Sequence, residues 1–249
     1  VRPGAAPAPE TDPRDPPAIA AQVQEFTWQG RRFGRLAAQV DKVPQGLRLA
    51  SLATESSDFT LNGTGSWLVE AGGARTQLTL DFASTDFAAA SRALGYRDTV
   101  EAEKVRASAS VTWSGGPSED ALARMDGNVR LELERGQLRD VKPGAGRMLG
   151  LLSVVELPRR LSLDFRDVTE EGLAFDRVRG DFELRAGNAY TKNLLLKGAA
   201  VDVGVVGRTG LVAQDYDQTI VVSGNPSGPI TVAGALAGGM LTAAILWDD

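Results

Sequence analysis

Apolar and polar residues alternate with a period of two along much of the chain. Leu78, Leu80 and Phe82 alternate with Thr79 and Asp81. Val105, Ala107, Ala109, Val111 and Trp113 alternate with Arg106, Ser108, Ser110 and Thr112. The same rhythm holds for Val129, Leu131 and Leu133, for Leu161, Leu163 and Phe165, and for Val178, Gly180, Phe182 and Leu184. Successive side chains of a strand point to opposite faces, so each run predicts a strand with one apolar and one wet face. A weak internal likeness between Gly127–Leu131 and Gly180–Leu184 fits a repeating strand unit.

Turn residues punctuate these runs: Pro44-Gln45-Gly46, Asn62-Gly63, Gly72-Gly73, Gly115-Gly116-Pro117, Arg135-Gly136, Glu171-Gly172 and Ala186-Gly187-Asn188. Connections this short suit antiparallel hairpins. Three segments break the rhythm and predict helices. Asp86 to Gly95 has Thr85 or Asp86 as N-cap and a terminal glycine. Ser118 to Met125 has Ser118 as cap and an apolar stripe of Leu122 and Met125. Gly146 to Glu156 is a longer apolar run stopped by Pro158.

The two ends differ from the middle. Residues 1–17 hold six of the twelve prolines and read as an extended linker. The chain opens on Val1, with no apolar leader run, and is expected to be a piece of a longer protein. Residues 18–228 carry the strand pattern. Residues 229–249 are apolar and glycine-rich, and Ile230 to Trp247 is a stretch of 18 residues without charge. That length sits at the lower edge for a membrane span. The segment reads either as a helix or strand closing the apolar end of the sheet, or as a piece that touches a bilayer.

Composition removes whole classes of chemistry. The 249 residues contain no Cys and no His. Triads and dyads built on histidine are therefore excluded, as are the usual zinc ligand sets. A net charge of -5 provides no basic field for nucleic acid. Asp164 with Asp167, and Asp215 with Asp217, are the carboxylate pairs to weigh. They read as turn and surface chemistry rather than a glycosidase pair. Pro143 to Arg147 lacks the Lys-Ser/Thr of a phosphate-binding loop.

About a dozen one-faced strands must hide their apolar sides from water, a gain of about 25 cal/mol per Å² buried. A closed sandwich or barrel does this against itself. A curved sheet can instead leave a trough filled by another apolar body. The pattern alone leaves both architectures open.

Residues 142–217 carry a family resemblance. The series Pro143-Gly144-Ala145-Gly146-Arg147-Met148-Leu149-Gly150, Leu157-Pro158-Arg159-Arg160-Leu161-Ser162-Leu163-Asp164-Phe165, Gly172-Leu173-Ala174-Phe175-Asp176, Gly180-Asp181-Phe182, Gly187-Asn188-Ala189-Tyr190-Thr191 and Gly207-Arg208 is similar to the C-terminal region of YhdP-type AsmA-like proteins. A looser match runs upstream through Phe33-Gly34-Arg35-Leu36, Gly65-Ser66-Trp67 and Trp113-Ser114-Gly115. The resemblance implies a mainly β fold, a curved antiparallel sheet forming an elongated apolar groove, with a few short helices. It implies a non-enzymatic conduit for phospholipid acyl chains, without cofactor or metal. Such a protein is anchored in the inner membrane of Gram-negative bacteria and crosses the periplasm. This chain would be its outer-membrane-proximal end. The implied partners are phospholipid, upstream β-groove repeats of the same chain and the outer membrane.

On that reading the groove is lined by Leu78, Leu80, Phe82, Val129, Leu131, Leu133, Leu161, Leu163, Phe165, Phe182, Leu184, Leu194, Leu196, Val201, Val203 and Val205. For each of them the alternative is plain core packing. Arg159 and Arg160 either contact a lipid headgroup phosphate or neutralise a helix C-terminus. The alternative function is a structural or partner-binding periplasmic β-domain with a closed core.

Overall fold

A computed structural model describes residues 12–28, 30–96, 99–118, 120–139, 173–199, 201–224 and 241–244. Twelve strands run in chain order: β1 Ile19–Trp28, β2 Arg31–Val43, β3 Gly46–Glu55, β4 Phe59–Glu70, β5 Gly73–Ser84, β6 Val100–Ser114, β7 Asp126–Leu138, β8 Leu173–Arg185, β9 Asn188–Lys197, β10 Val201–Gly210, β11 Tyr216–Gly224 and β12 Leu241–Ala244. Each pairs antiparallel with the next, so spatial order equals sequence order. The first and last strands do not meet, and the result is one unclosed, curled sheet. Its breadth across the strands is about 50 Å, from eleven steps of about 4.8 Å between twelve strands.

The curl has a visible cause. Register shifts fall inside strands rather than at their ends: between Val23 and Phe26 in β1, Leu49 and Leu52 in β3, Arg179 and Phe182 in β8 against β9, and Val205 and Gly207 in β10. An extra residue bends the strand that carries it. Bends placed mid-strand fold the sheet about a line that crosses the strands, so the trough runs along the stacking direction.

Two glycine dipeptides expected as turns lie within strands instead. Asn62-Gly63 is inside β4 and Arg135-Gly136 inside β7. A Cβ at Gly136 would stand 1.9 Å from the Glu101 carbonyl oxygen, and Arg135 beside it has φ 42°. Gly136 marks a close backbone approach at an irregularity, and Gly63 is a bare spot under the Leu80 side chain. Period-two reasoning does not separate these roles from a turn.

Two short helices interrupt the meander. Helix α1, Phe87–Ala93, follows β5; Asp86 Oδ1 accepts from the Ala89 N–H at 2.9 Å, and Gly95 lies just past its end at φ +74°. It packs Ala90 and Ser91 inward and touches both β6 and β2, along one rim of the sheet. Helix α2, Ala121–Arg124, is one turn long, shorter than the pattern predicts. Ser118 does not cap it; its hydroxyl donates to Asp120 Oδ1 at 2.6 Å. Leu122 is exposed rather than part of an inward stripe. The expected helix over Gly146–Glu156 lies outside the described residues. At the C-terminal end, Leu241–Ala244 adds to β11 as a strand.

Gly136→Ala should destabilise the fold by about 2 kcal/mol or more, because backbone must move to admit the methyl group. Gly63→Ala should cost less, since its closest obstacle is the tip of Leu80 at 2.6 Å, and the Thr79 carbonyl oxygen at 3.2 Å has to give only slightly. Urea denaturation of the two variants checks the order.

Candidate functional site

Cross-strand register assembles the alternating residues into continuous rows on one face. One row reads Ala38, Leu52, Gly63, Leu80, Ala109, Val129, Phe182 and Thr191, from β2 to β9. The next reads Leu36, Thr54, Leu61, Phe82, Ala107, Leu131 and Gly180. A third reads Leu49, Gly65, Leu78, Val111, Gly127, Leu184 and Ala189. Glycines alternate with leucines within these rows. Leu80, Leu78 and Leu194 lean over Gly63, Gly65 and Gly180, where an added Cβ would meet them at 2.6, 2.6 and 2.9 Å. The effect is a low floor of hydrocarbon rather than a ridge.

The centre of this face is not sealed. Leu36, Leu49, Leu52, Leu61, Leu78, Leu80, Phe82, Val129, Leu131 and Phe182 are all half-buried. Residues at such central positions of a sandwich would be fully covered by the opposing sheet. Among the described residues, most fully buried hydrophobic side chains fall in two clusters. One gathers Val105, Leu133, Phe175, Leu196, Val203, Val205 and Ile220 beside α1. The other gathers Val111, Trp113, Ala121, Leu184 and Ala189 beside α2. The half-buried floor residues pack against these clusters, Phe82, Leu131 and Leu194 against the first and Leu78, Val129 and Phe182 against the second, and stay partly open.

The expected lining residues therefore divide. Leu78, Leu80, Phe82, Val129, Leu131, Phe182 and Leu194 are half-buried on this face. Leu133, Leu184, Leu196, Val203 and Val205 belong to the buried clusters. Val201 lies in β10. Leu161, Leu163, Phe165, Arg159 and Arg160 lie outside the described residues, as do Asp164 and Asp167. Asp215 sits before β11 and pairs with Arg208 at 2.8 Å. Sequence reasoning missed the contribution of β2 to β4, where Leu36, Leu49, Leu52 and Leu61 extend the same floor. Bulges in β1 and β3 break the parity there, so the alternation is legible only once the register is known.

The opposite face is wet. Its cross-strand ion pairs include Arg130–Asp181 at 2.6 Å, Arg135–Glu103 at 2.6 Å, Lys104–Glu134 at 3.7 Å and Arg177–Glu132 at 3.6 Å. They are largely exposed, so water screens them and they contribute little to stability. Their main effect is to keep this side hydrated. A shallow hollow of about 590 Å³ on it is lined by polar and charged residues such as Asn128, Arg130, Asp181 and Lys192 together with Val129, Phe182 and Tyr190. Only toward β9–β11 does the outer face turn apolar, where Leu195, Val206 and Val221 line a second hollow of about 620 Å³. Among the described residues there is no group of three or more acidic side chains placed to hold a metal, and no helix long and apolar enough to cross a membrane.

A curled, unclosed antiparallel sheet with one continuous apolar floor and one charged outer face defines a groove-forming β protein. The family model described as YhdP protein matches residues 3–248, and the chain belongs to that family. It is 27% identical over 222 residues to the intermembrane phospholipid transporter YhdP of Escherichia coli (strain K12), an alignment that covers 89% of this chain and 18% of that protein. The chain thus spans under a fifth of the length of that relative. No solved structure matches it.

The outer pairs set a pH response. The Arg130 guanidinium, with the Asn193 amide, holds the Asp181 carboxyl below the usual carboxylate range; Arg208 does the same for Asp215. A carboxyl with a lowered folded pKa stabilises the fold above its unfolded value of about 3.9, and that contribution is lost as pH falls through the folded value. Melting temperature should therefore be flat from neutrality to about pH 5 and fall below it. In Asp181→Asn the fall should be shallower. Thermal melts across that range test this.

Proposed function

We propose that the chain is a stretch of open channel in which phospholipid acyl chains lie on the apolar floor, and that it catalyses nothing. The observation that carries this reading is the half-buried centre of a face continuous from β2 to β9. Half-buried leucine and phenylalanine in unbroken cross-strand rows leave apolar surface in water. Covering them with hydrocarbon gains about 0.8 kcal/mol for each CH₂ buried, or about 8 kcal/mol for a tail of about ten methylenes. Tails need no specific polar partner, and the floor provides few. A charged headgroup stays at the rim, in water.

What the E. coli relative's name states, transport of phospholipid between membranes, supports assigning the same cargo here. On this reading the chain works in the periplasm as one part of a longer, inner-membrane-anchored bridge. The resemblance to the C-terminal region of the family supports an outer-membrane-proximal position. Neighbouring stretches of sheet would pair with the free edge of β1, whose residues Ile19, Val23 and Trp28 are exposed. Residues 18–228 form the groove unit, preceded by a linker.

Photo-crosslinking side chains at Leu80, Leu131 and Phe182 should capture phospholipid in cells, and at Asp81, Arg130 and Glu183 should not. Equal capture on both faces would exclude the trough. Leu80→Asp should leave the fold intact at a half-buried site yet reduce lipid co-purified with the chain, because a carboxylate there costs several kcal/mol to desolvate under a tail. Undiminished lipid in a folded Leu80→Asp variant would point to a closed-core domain instead.

A further inference from the structure

The rim near α1 carries a group of side chains that the apolar floor does not account for. Five phenylalanines form a chain of ring contacts across β1, β2, β4, β5 and α1: Phe26–Phe33 at 5.7 Å, Phe33–Phe59 at 6.1 Å, Phe59–Phe82 at 5.5 Å and Phe82–Phe87 at 6.5 Å. Arg31 opens β2, two residues before Phe33. The Arg31 guanidinium lies over the Tyr96 ring, 5.0 Å from its centroid, with Nη1 3.5 Å from the Tyr96 hydroxyl. Trp28 is paired with Arg31 across the strands. Trp28 and Tyr96 are 62% and 59% exposed, the highest values among the large hydrophobic side chains described.

Arg35, Arg48, Arg75, Arg124, Arg130, Arg135, Arg139, Arg177, Arg185 and Arg208 each have a carboxylate partner. Among the described residues, no carboxylate stands within ion-pair distance of Arg31; the same holds for Arg32, Arg106 and Arg179, and Arg31 differs from them in its seat on an aromatic ring. A guanidinium packed on an aromatic face is oriented by it while keeping N–H donors for an anion. Exposed Trp and Tyr beside Arg, with hydrocarbon behind them, match the boundary between acyl chains and headgroups, where amphipathic rings are favoured.

We propose that Arg31, held by Tyr96 and flanked by Trp28, binds the phosphodiester of a phospholipid whose tails enter the trough along the phenylalanine ladder. This rests on the trough carrying acyl chains, and the test separates the two. The purified chain is titrated, by native mass spectrometry in detergent, with dioleoylphosphatidylethanolamine and with dioleoylglycerol, which share tails and differ in the phosphate headgroup. The wild-type chain should prefer the phospholipid. Arg31→Gln should weaken phospholipid binding about tenfold, the loss expected for one charge-assisted contact, and leave dioleoylglycerol unchanged. Arg31→Lys should fall between. Excess inorganic phosphate should not displace the lipid.

Phospholipid binding unaltered by Arg31→Gln would overturn the site. Equal weakening for both lipids would do the same, marking Arg31 as a packing residue only. Displacement by inorganic phosphate would reassign it to a free anion. If the wild-type chain binds neither lipid, the trough reading fails and this site with it; if it binds both equally, the trough stands and the headgroup site falls.

Discussion

A single antiparallel layer has two faces and only one chain with which to cover them. Everything in this structure follows from how that constraint is met. The outer face is made of ion pairs and hydroxyls, which water satisfies. The inner face is hydrocarbon, and no second sheet among the described residues covers it. The fold removes part of the exposure by bending: mid-strand bulges curl the sheet, and side chains gather into the clusters beside α1 and α2. What remains is a continuous, half-buried floor that runs from β2 to β9. Such a surface is metastable in water and well suited to an apolar guest.

This division of labour explains which residues are small. A floor of uniform leucine would fill the trough from within. Gly63, Gly65, Gly127 and Gly180 keep it low, and neighbouring leucines spread over the gaps. The same geometry explains why polar recognition is confined to the rim. A headgroup cannot be desolvated on the floor without several kcal/mol of cost, so any contact that reads phosphate must sit where water still reaches. Arg31, framed by exposed Trp28 and Tyr96, is at such a boundary.

Much of this was legible in the sequence, and the limits were physical. The alternation through β5, β6, β7 and β8 gave the strands and their faces directly, because those stretches are regular. The N-cap at Asp86 and the glycine at position 95 located α1. In β1 and β3 the bulges break parity, so the floor residues Leu49 and Leu52 fall on mismatched spacings and escape a period-two search. Asn62-Gly63 and Arg135-Gly136 read as turns because a glycine required for space looks the same as one required for a hairpin. The phenylalanine ladder joins residues up to 61 positions apart, from Phe26 to Phe87, and no local pattern announces it. Openness itself was not readable, since a sandwich and a trough share one alternation.

Reagent access to the floor measures that openness most directly. The chain contains no cysteine, so Leu80→Cys introduces a unique thiol at the centre of the inner face. In the native, lipid-stripped protein this thiol should react with a small maleimide at a rate within about tenfold of one placed at exposed Asp81, as half-burial with open access implies. Loading with phospholipid should then protect Leu80→Cys and leave Asp81→Cys unaffected. Reaction at position 80 only after unfolding would contradict the account, because it would mean that the apolar faces seal against one another.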